Sequence, residues 1–302
     1  MAAPLVDRAF AKVNLTLRVR GRRSDGYHEL DSLVVFARLA DRLSFVPGLA
    51  LQLTARGPTA GAAGPDRDNL VRRAAQALAD RVTPLHLGHF TLDKHLPVAA
   101  GLGGGSADAA AALRLLARAN RMAPDDPRLY DAAIATGADV PVCLDPRPRR
   151  MRGIGDLLTA PLALPNLPAV LVNPGVSVPT HEVFAVLRAP AVAGTDAGES
   201  ADAVPCERPA LLTYLAAHGN DLEPAAIALQ PVIGDVLAAL RALPGCHLAR
   251  MSGSGATCFG LFDTLKAATA AAALVRRAQP SWWVRATILG AQPAAKIRRA
   301  AP

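Results

Sequence analysis

Apolar and polar residues alternate along AFAKVNLTLRV (residues 9–19), which predicts a β-strand with a charged and an amide side chain on one face. GRRSDGYHEL (21–30) then brings Ser24, Asp25 and Gly26 together as turn residues ahead of a second strand at LDSLVVFARL. Further strands follow in LSFVPGLALQLTARG (43–57), interrupted at Pro47-Gly48. DNLVRRAAQALADRV (68–82) has helical spacing, with Asp68 and Asn69 suited to its cap. HFTLDKHLP (89–97) is a short strand, and SADAAAALRLLARAN (106–120) is the strongest helical stretch, with Ser106 and Asp108 in its first turn. Another helix is predicted over 127–136.

After residues 150–160 the pattern changes. PAVLVNPGVSVPT (168–180) begins as a buried strand, and THEVFAVL opens a helix for which Thr180 is a natural cap. Residues 189–210 are rich in Pro, Gly, Ala and acid and read as a surface loop. NDLEPAAIAL and PVIGDVLAALRAL are helical, ARMSGSGATCFGLF (249–262) is strand, tight turn, strand, and KAATAAAALVRRA is a helix before a last strand at WWVRATIL. Strands first and mixed β/α units later predict an α+β protein of two domains, residues 1–158 and 159–302.

Composition narrows the class. Half of the 302 residues are hydrophobic, enough for a sizeable core, and the scarcity of aromatics makes that core aliphatic. The net charge of +8 suits an acidic partner: a phosphorylated metabolite, nucleic acid or anionic lipid. The densest basic cluster, PRPRRMR (146–152), is too short for a nucleic-acid arm and reads as a solvated loop. Cys143, Cys206, Cys246 and Cys258 form no CxxC pair, three of them lie in apolar surroundings, and the histidines are scattered, so a reducing compartment and no histidine–cysteine metal centre are expected. The N-terminus is no secretory signal and no run of about 20 apolar residues occurs, which predicts a cytoplasmic protein.

The chemistry centres on AAGLGGGSADAA (99–110), where Gly101, Gly103, Gly104 and Gly105 abut a helix start. Bare backbone there lets N–H groups close on phosphate oxygens, and the helix N-terminus adds about half a positive charge. Ser106, at the predicted cap, is placed to reach a phosphate oxygen or a magnesium ion. A Walker A loop requires a lysine that does not follow Gly105, and a Rossmann fingerprint requires a glycine where Ser106 stands.

LPVAAGLGGGSADAA resembles the phosphate loop of the GHMP kinases, the superfamily of galactokinase and of the homoserine, mevalonate and phosphomevalonate kinases. AKVNLTL (11–17), GRRSDGYHEL, DNLVRRAAQAL, GADVPVCL (137–144), NPGVSVPT (173–180), NDLEPAA (220–226) and MSGSGATCFGLF (251–262) extend the likeness over nearly the whole chain. DGYHEL and GADVPV point to a branch acting on a cytidine diphosphate-linked methylerythritol. The resemblance implies a ribosomal-protein-like βαβ domain carrying ATP, a ferredoxin-like second domain, and transfer of the ATP γ-phosphate, with Mg2+, to a substrate hydroxyl in the cleft between. It implies no nucleic acid, membrane or obligate protein partner.

Residue by residue, the resemblance makes Asp139 the acceptor of the hydroxyl proton, with Lys12 beside it to help hold the transferring phosphoryl group. A buried structural ion pair is the alternative for these two. Pro97, Gly101, Leu102, Gly103, Gly104, Gly105 and Ser106 fall to ATP, and so do Asn69 and Lys94, which by themselves read as a helix cap and a surface lysine. Asn14 and Thr180 fall to the substrate. Tyr27 and Phe184 match the aromatic positions that sandwich the pyrimidine, with His28 reading its edge, although Phe184 in VFAVL also has core spacing. Gly253 and Gly255 read as a tight turn packed on the phosphate loop. A homoserine or mevalonate type of kinase, a non-catalytic regulator of the same fold, and an RNA-binding protein are the competing readings.

Overall fold

A computed structural model describes residues 3–62, 68–192 and 203–292. The fold is mixed α+β, organised on two long strands, β1 (Leu5–Arg22) and β2 (His28–Pro47), paired antiparallel. β1 occupies one edge of β2 along its length. The other edge is shared in turn by β5 (Arg149–Gly153), β10 (Trp283–Gly290) and β4 (Gly88–Asp93). β3 (Gln52–Arg56) adds in parallel to β4, the two-residue β6 (Leu157–Leu158) adds to β5, and β7 (Leu167–Asn173), β9 (Cys258–Leu261) and β8 (Leu248–Met251) continue the sheet beyond β10.

Three apolar clusters hold this sheet. Helices α1 (Leu70–Ala79), α2 (Gly104–Ala119), α3 (Pro127–Thr136) and α4 (Val140–Leu144) pack Val71, Leu78, Leu113, Leu129 and Val142 against Phe36, Phe45 and Phe90. α2 buries Ala107 and Ala109–Ala112, whose small side chains let its backbone lie close to the strands. A second cluster joins α5 (Thr180–Leu187), α7 (Glu223–Leu229), α8 (Val232–Arg241) and α9 (Leu265–Ala278) to Val170, Val172 and Val284. The third lies between, where Ala11, Val13 and Leu15 of β1 meet Leu167, Ala169 and Leu171 of β7 and Leu211 and Leu215 of α6 (Arg208–Ala217). β7 is therefore buried on both faces, as its unbroken apolar run predicts.

Several local expectations change. The basic segment at 146–152 is not a solvated loop: Arg149–Gly153 is strand β5, Met151 is buried in the core, and Arg149 and Arg150 pair with Asp145 and Asp31. α4 and α6 lie in segments to which the sequence pattern assigned no helix. Of the expected 189–210 loop, residues 193–202 lie outside the described residues, and α6 starts at Arg208. α2 begins at Gly104 with Gly103 as its N-cap, so Ser106 is a first-turn residue rather than the cap, and Asp108 is buried beyond the first turn. Thr180 likewise is the first residue of α5, with Pro179 at the cap position. Asn69 does cap α1, its side-chain oxygen accepting from Val71 N–H at 2.9 Å.

Candidate functional site

Three segments meet at the start of α2. Lys12 N–H donates to the Leu102 carbonyl at 2.8 Å, and Asn14 N–H donates to Ser252 Oγ at 3.1 Å. Ser252 Oγ in turn donates to the Gly101 carbonyl at 2.8 Å, and Thr257 N–H donates to that of Ala100 at 3.1 Å. The glycine loop is thus pinned between β1 and the turn joining β8 to β9, which is the packing expected of Gly253 and Gly255. Asn220 fastens that turn from below, donating to the Met251 and Gly253 carbonyls at 2.9 and 2.8 Å. β1 carries register shifts around Lys12 and between Asn14 and Thr16, irregularities that re-aim side chains where a strand borders a site.

The glycines divide into two kinds. A Cβ on Gly101 would stand 2.2 Å from the Ser252 carbonyl oxygen, and one on Gly103 would press on the Lys12 side chain at 3.2 Å. Those two are demanded by the protein itself, and both have positive φ, 73° and 59°. At Gly104 and Gly105 a Cβ would make only van der Waals contacts of 3.8 and 3.4 Å. Nothing inside the fold requires bare backbone at those two positions. The first-turn N–H groups of α2 have no intrahelical acceptor, and no side chain caps them. Uncapped N–H groups at a helix N-terminus are an arrangement that can cradle an anion.

Lys12 is buried and its Nζ lies 2.9 Å from Asp139 Oδ2, while the Asp139 side chain keeps 36% of its surface exposed. The expected pair exists, but only the lysine is enclosed. The carboxylate faces two adjoining cavities. One, of about 350 Å³, is lined by Lys12, Asn14, Gly101 and Gly103–Ser106. The other, of about 1050 Å³, is lined by Tyr27, His28 and Ala138. Ser106, Asp139, Thr180 and Phe184 line both.

Asn14 is buried and donates to Ser32 Oγ at 2.7 Å, whereas its own Oδ1 has no partner among the described residues. Thr180 Oγ1 lies 2.9 Å from Ser254 Oγ, tying α5 to the β8–β9 turn. Asn69, Lys94, Pro97, Gly104 and Gly105 line a smaller recess of about 130 Å³ beside the cradle. The Leu102 side chain is in the core and its carbonyl is taken by Lys12, which leaves this residue only a backbone N–H to offer a ligand.

The His28 and Phe184 rings are stacked, with centroids 4.4 Å apart and planes 21° from parallel, while Tyr27 is 59% exposed. All three residues line the larger cavity. Burial, and then the nearby charge of Arg22, lowers the His28 pKa from its usual value and favours the neutral ring.

Lys94 is no surface lysine. Its Nζ sits 2.7 Å from both Asp41 Oδ2 and Asp108 Oδ2, and all three side chains are buried. Asp41 also accepts from His95 and Leu96 N–H, which sets the path of the chain into the glycine loop. Burial alone would lower the Lys94 pKa, but Asp108 and Asp41 outweigh it and leave it raised. With two carboxylates to one ammonium, burial, together with repulsion from Asp41, pushes Asp108 up to about 7 despite Lys94. Asp41 was legible by the same signal as Lys12, a charge set inside an apolar strand.

Lys94→Met is expected to cost about 3–5 kcal/mol of stability by leaving two carboxylates without a cation. A carboxyl whose folded-state pKa is raised holds a proton that the unfolded chain releases near its ordinary value, so the folded state loses ground as pH rises through that interval. The melting deficit of the variant should therefore be larger at pH 8 than at pH 5. Equal deficits in thermal denaturation at the two pH values would show that the triad does not titrate in this way.

The chain matches known proteins over nearly its whole length. The family profile for the GHMP kinases N terminal domain matches residues 69–145, and that for the GHMP kinases C terminal domain matches residues 209–280. The 4-diphosphocytidyl-2-C-methyl-D-erythritol kinase of Methylobacterium radiotolerans is 58% identical over 94% of this chain and 99% of its own. That of Xanthobacter autotrophicus is 55% identical over 93% and 98%. A crystal structure of 4-(cytidine 5'-diphospho)-2C-methyl-D-erythritol kinase superposes with a TM-score of 0.75 at 37% identity, covering 95% of this chain and all of that one. A homoserine kinase from Cytophaga hutchinsonii, 18% identical with a TM-score of 0.69, shares the fold.

Proposed function

The chain belongs to the 4-diphosphocytidyl-2-C-methyl-D-erythritol kinases of the GHMP kinase family, and from that membership we propose how its own residues carry out the reaction. The reaction is ATP-dependent phosphorylation of the 2-hydroxyl of 4-diphosphocytidyl-2-C-methyl-D-erythritol. The observation that carries the reading is the position of Asp139, paired with Lys12, on the wall shared by the glycine-loop cavity and the aromatic cavity.

Asp139 accepts the proton of the substrate hydroxyl as its oxygen bonds to the γ-phosphorus and the bond to the β–γ bridging oxygen breaks. Lys12 Nζ, fixed on β1, holds the transferring phosphoryl oxygens. The backbone N–H groups of Gly104, Gly105 and Ser106 cradle the ATP phosphates, with Gly101, Leu102 and Gly103 shaping the loop, and Asn69, Lys94 and Pro97 bound the recess for the rest of the nucleotide. This division fits phosphoryl transfer, which asks for positioning, charge neutralisation and one base. Mg2+, when bound, neutralises phosphate charge. The Oγ of Ser106, which lines both cavities, would be a protein group to hold it; among the described residues no group of three or more His, Cys, Asp or Glu is placed to hold a metal ion. Asn14 and Thr180 position the acceptor alcohol.

Phe184 stacks on the cytosine, with Tyr27 on its other face and His28 moving from the ring to the base edge. Phe184→Leu is expected to raise KM for the cytidylyl substrate about 5- to 150-fold, the usual worth of one stacked aromatic, and to leave KM for ATP alone. A variant that melts earlier with both KM values unchanged would place Phe184 in the core instead.

We assign residues 1–158 to the nucleotide-binding domain and 159–302 to the second domain, and take the protein to be cytoplasmic; among the described residues no helix is long and apolar enough to cross a membrane. An ADP-release assay offering the cytidylyl alcohol, homoserine and mevalonate tests the reading. Turnover of homoserine or mevalonate alone would overturn it.

A further inference from the structure

The aromatic cavity also holds two arginines to which the reaction above gives no role. Arg22 closes β1 and Arg188 follows α5, and both line the cavity. Backbone contacts bring them to one rim. Arg22 N–H donates to the Pro190 carbonyl at 2.7 Å and Val192 N–H donates to that of Arg22 at 2.9 Å, so the chain leaving α5 lies along the end of β1. Gly21 allows this approach, because a Cβ there would stand 2.7 Å from the Pro190 oxygen. Arg188 has a left-handed φ of 50°, a backbone state that glycine would occupy at less cost.

The surrounding arginines are neutralised: Arg20 and Arg150 pair with Asp31, and Arg23 pairs with Asp25 and Glu29. Arg22 and Arg188 have no side-chain partner among the described residues. The carboxylate lining the cavity, Asp139, is already paired with Lys12. Two free guanidiniums on one rim create a field suited to a polyanion, and their planar forks match phosphate oxygens. A cytidylyl alcohol carries a base at one end, a hydroxyl at the other and two phosphates between them. The cavity supplies rings for the first and a carboxylate for the second.

We propose that Arg22 and Arg188 form a clamp for the diphosphate bridge of the substrate, setting the distance between the stacked base and the reacting hydroxyl. This rests on the cytidylyl-substrate reading above. The clamp makes affinity depend on the phosphates, not on the base alone.

The test is calorimetric titration of CDP and of cytidine into the full chain, with the nucleotide site saturated by a non-hydrolysable ATP analogue. The proteins compared are the parent, Arg22→Gln, Arg188→Gln, the double variant, and Arg18→Gln, an exposed cation outside the cavity. The parent should bind CDP well above cytidine. Each clamp variant should lose about 10- to 100-fold in CDP affinity, the usual worth of a charge-assisted hydrogen bond, with cytidine affinity held, and Arg18→Gln should behave as the parent. KM for the cytidylyl substrate should follow CDP affinity while KM for ATP stays. No CDP binding by the parent, unchanged CDP affinity in the double variant, parallel loss of cytidine, or equal loss in Arg18→Gln would each overturn the clamp. CDP binding that depends on these arginines in a chain that turns over no cytidylyl alcohol would instead sustain the clamp and remove the proposed function.

Discussion

Asp139→Asn is expected to give a folded protein that still binds ATP and has lost about 10²- to 10⁴-fold in kcat, the usual cost of removing a general base. The structure makes this substitution informative. Asp139 is the residue that leads into α4, and its carboxylate is tied at 2.9 Å to the buried ammonium of Lys12. Asparagine has the same shape, and its amide oxygen still accepts from Lys12, so the lysine keeps a hydrogen-bond partner when it loses its counterion. What the amide cannot do is take a proton from the substrate. A purely structural ion pair predicts the opposite pattern, a lower melting temperature with kcat largely retained. Near-normal kcat in single-turnover kinetics would therefore remove Asp139 from the chemistry, whatever happened to Tm.

Lys12 and Asp139 were legible because each is a charge in an apolar stretch, and burial forces such a charge to find a partner. That inference needs no knowledge of topology, and the pair is there. The same logic covers Asp41 on β2, whose partner Lys94 lies 53 residues downstream and is shared with Asp108. Periodicity is blind to such distances, and Lys94 in the polar run DKHLP looks solvated until the fold encloses it. β5 was hidden for a related reason. Its arginines spoil any apolar alternation, and only the long-range carboxylates of Asp31 and the local one of Asp145 make them compatible with a strand. α6 is concealed by the Pro- and acid-rich stretch before it, although Leu211 and Leu215 complete the middle core. Tyr27 and His28 show a finer limit. The motif marks both residues, but which of the two rings meets Phe184 depends on the direction each projects at the start of β2 and on where α5 comes to rest.

Gly104→Val is expected to leave the fold intact and to weaken ATP binding by about 100-fold or more. A Cβ at Gly104 meets nothing closer than Leu96 and Asp41 side-chain atoms at 3.8 and 3.9 Å, and valine at the first position of a helix is no worse for the helix than glycine. The protein itself therefore has room for a Cβ at this position. A phosphate seated on the α2 N-terminus leaves no such room, because its oxygens must come within about 2.9 Å of the backbone nitrogens and a branched side chain stands across that approach. Losing two such charge-assisted hydrogen bonds at about 1.5–3 kcal/mol each accounts for the drop. Gly101→Ala supplies the contrast. Its Cβ would be driven to 2.2 Å from the Ser252 carbonyl oxygen, so this smaller change should lower Tm by separating the loop from the β8–β9 turn. Two glycines three positions apart should thus fail in different assays, Gly101 in thermal denaturation and Gly104 in nucleotide titration. A Gly104→Val protein that binds ATP with parental affinity would show that the bare backbone at the start of α2 does not serve a phosphate.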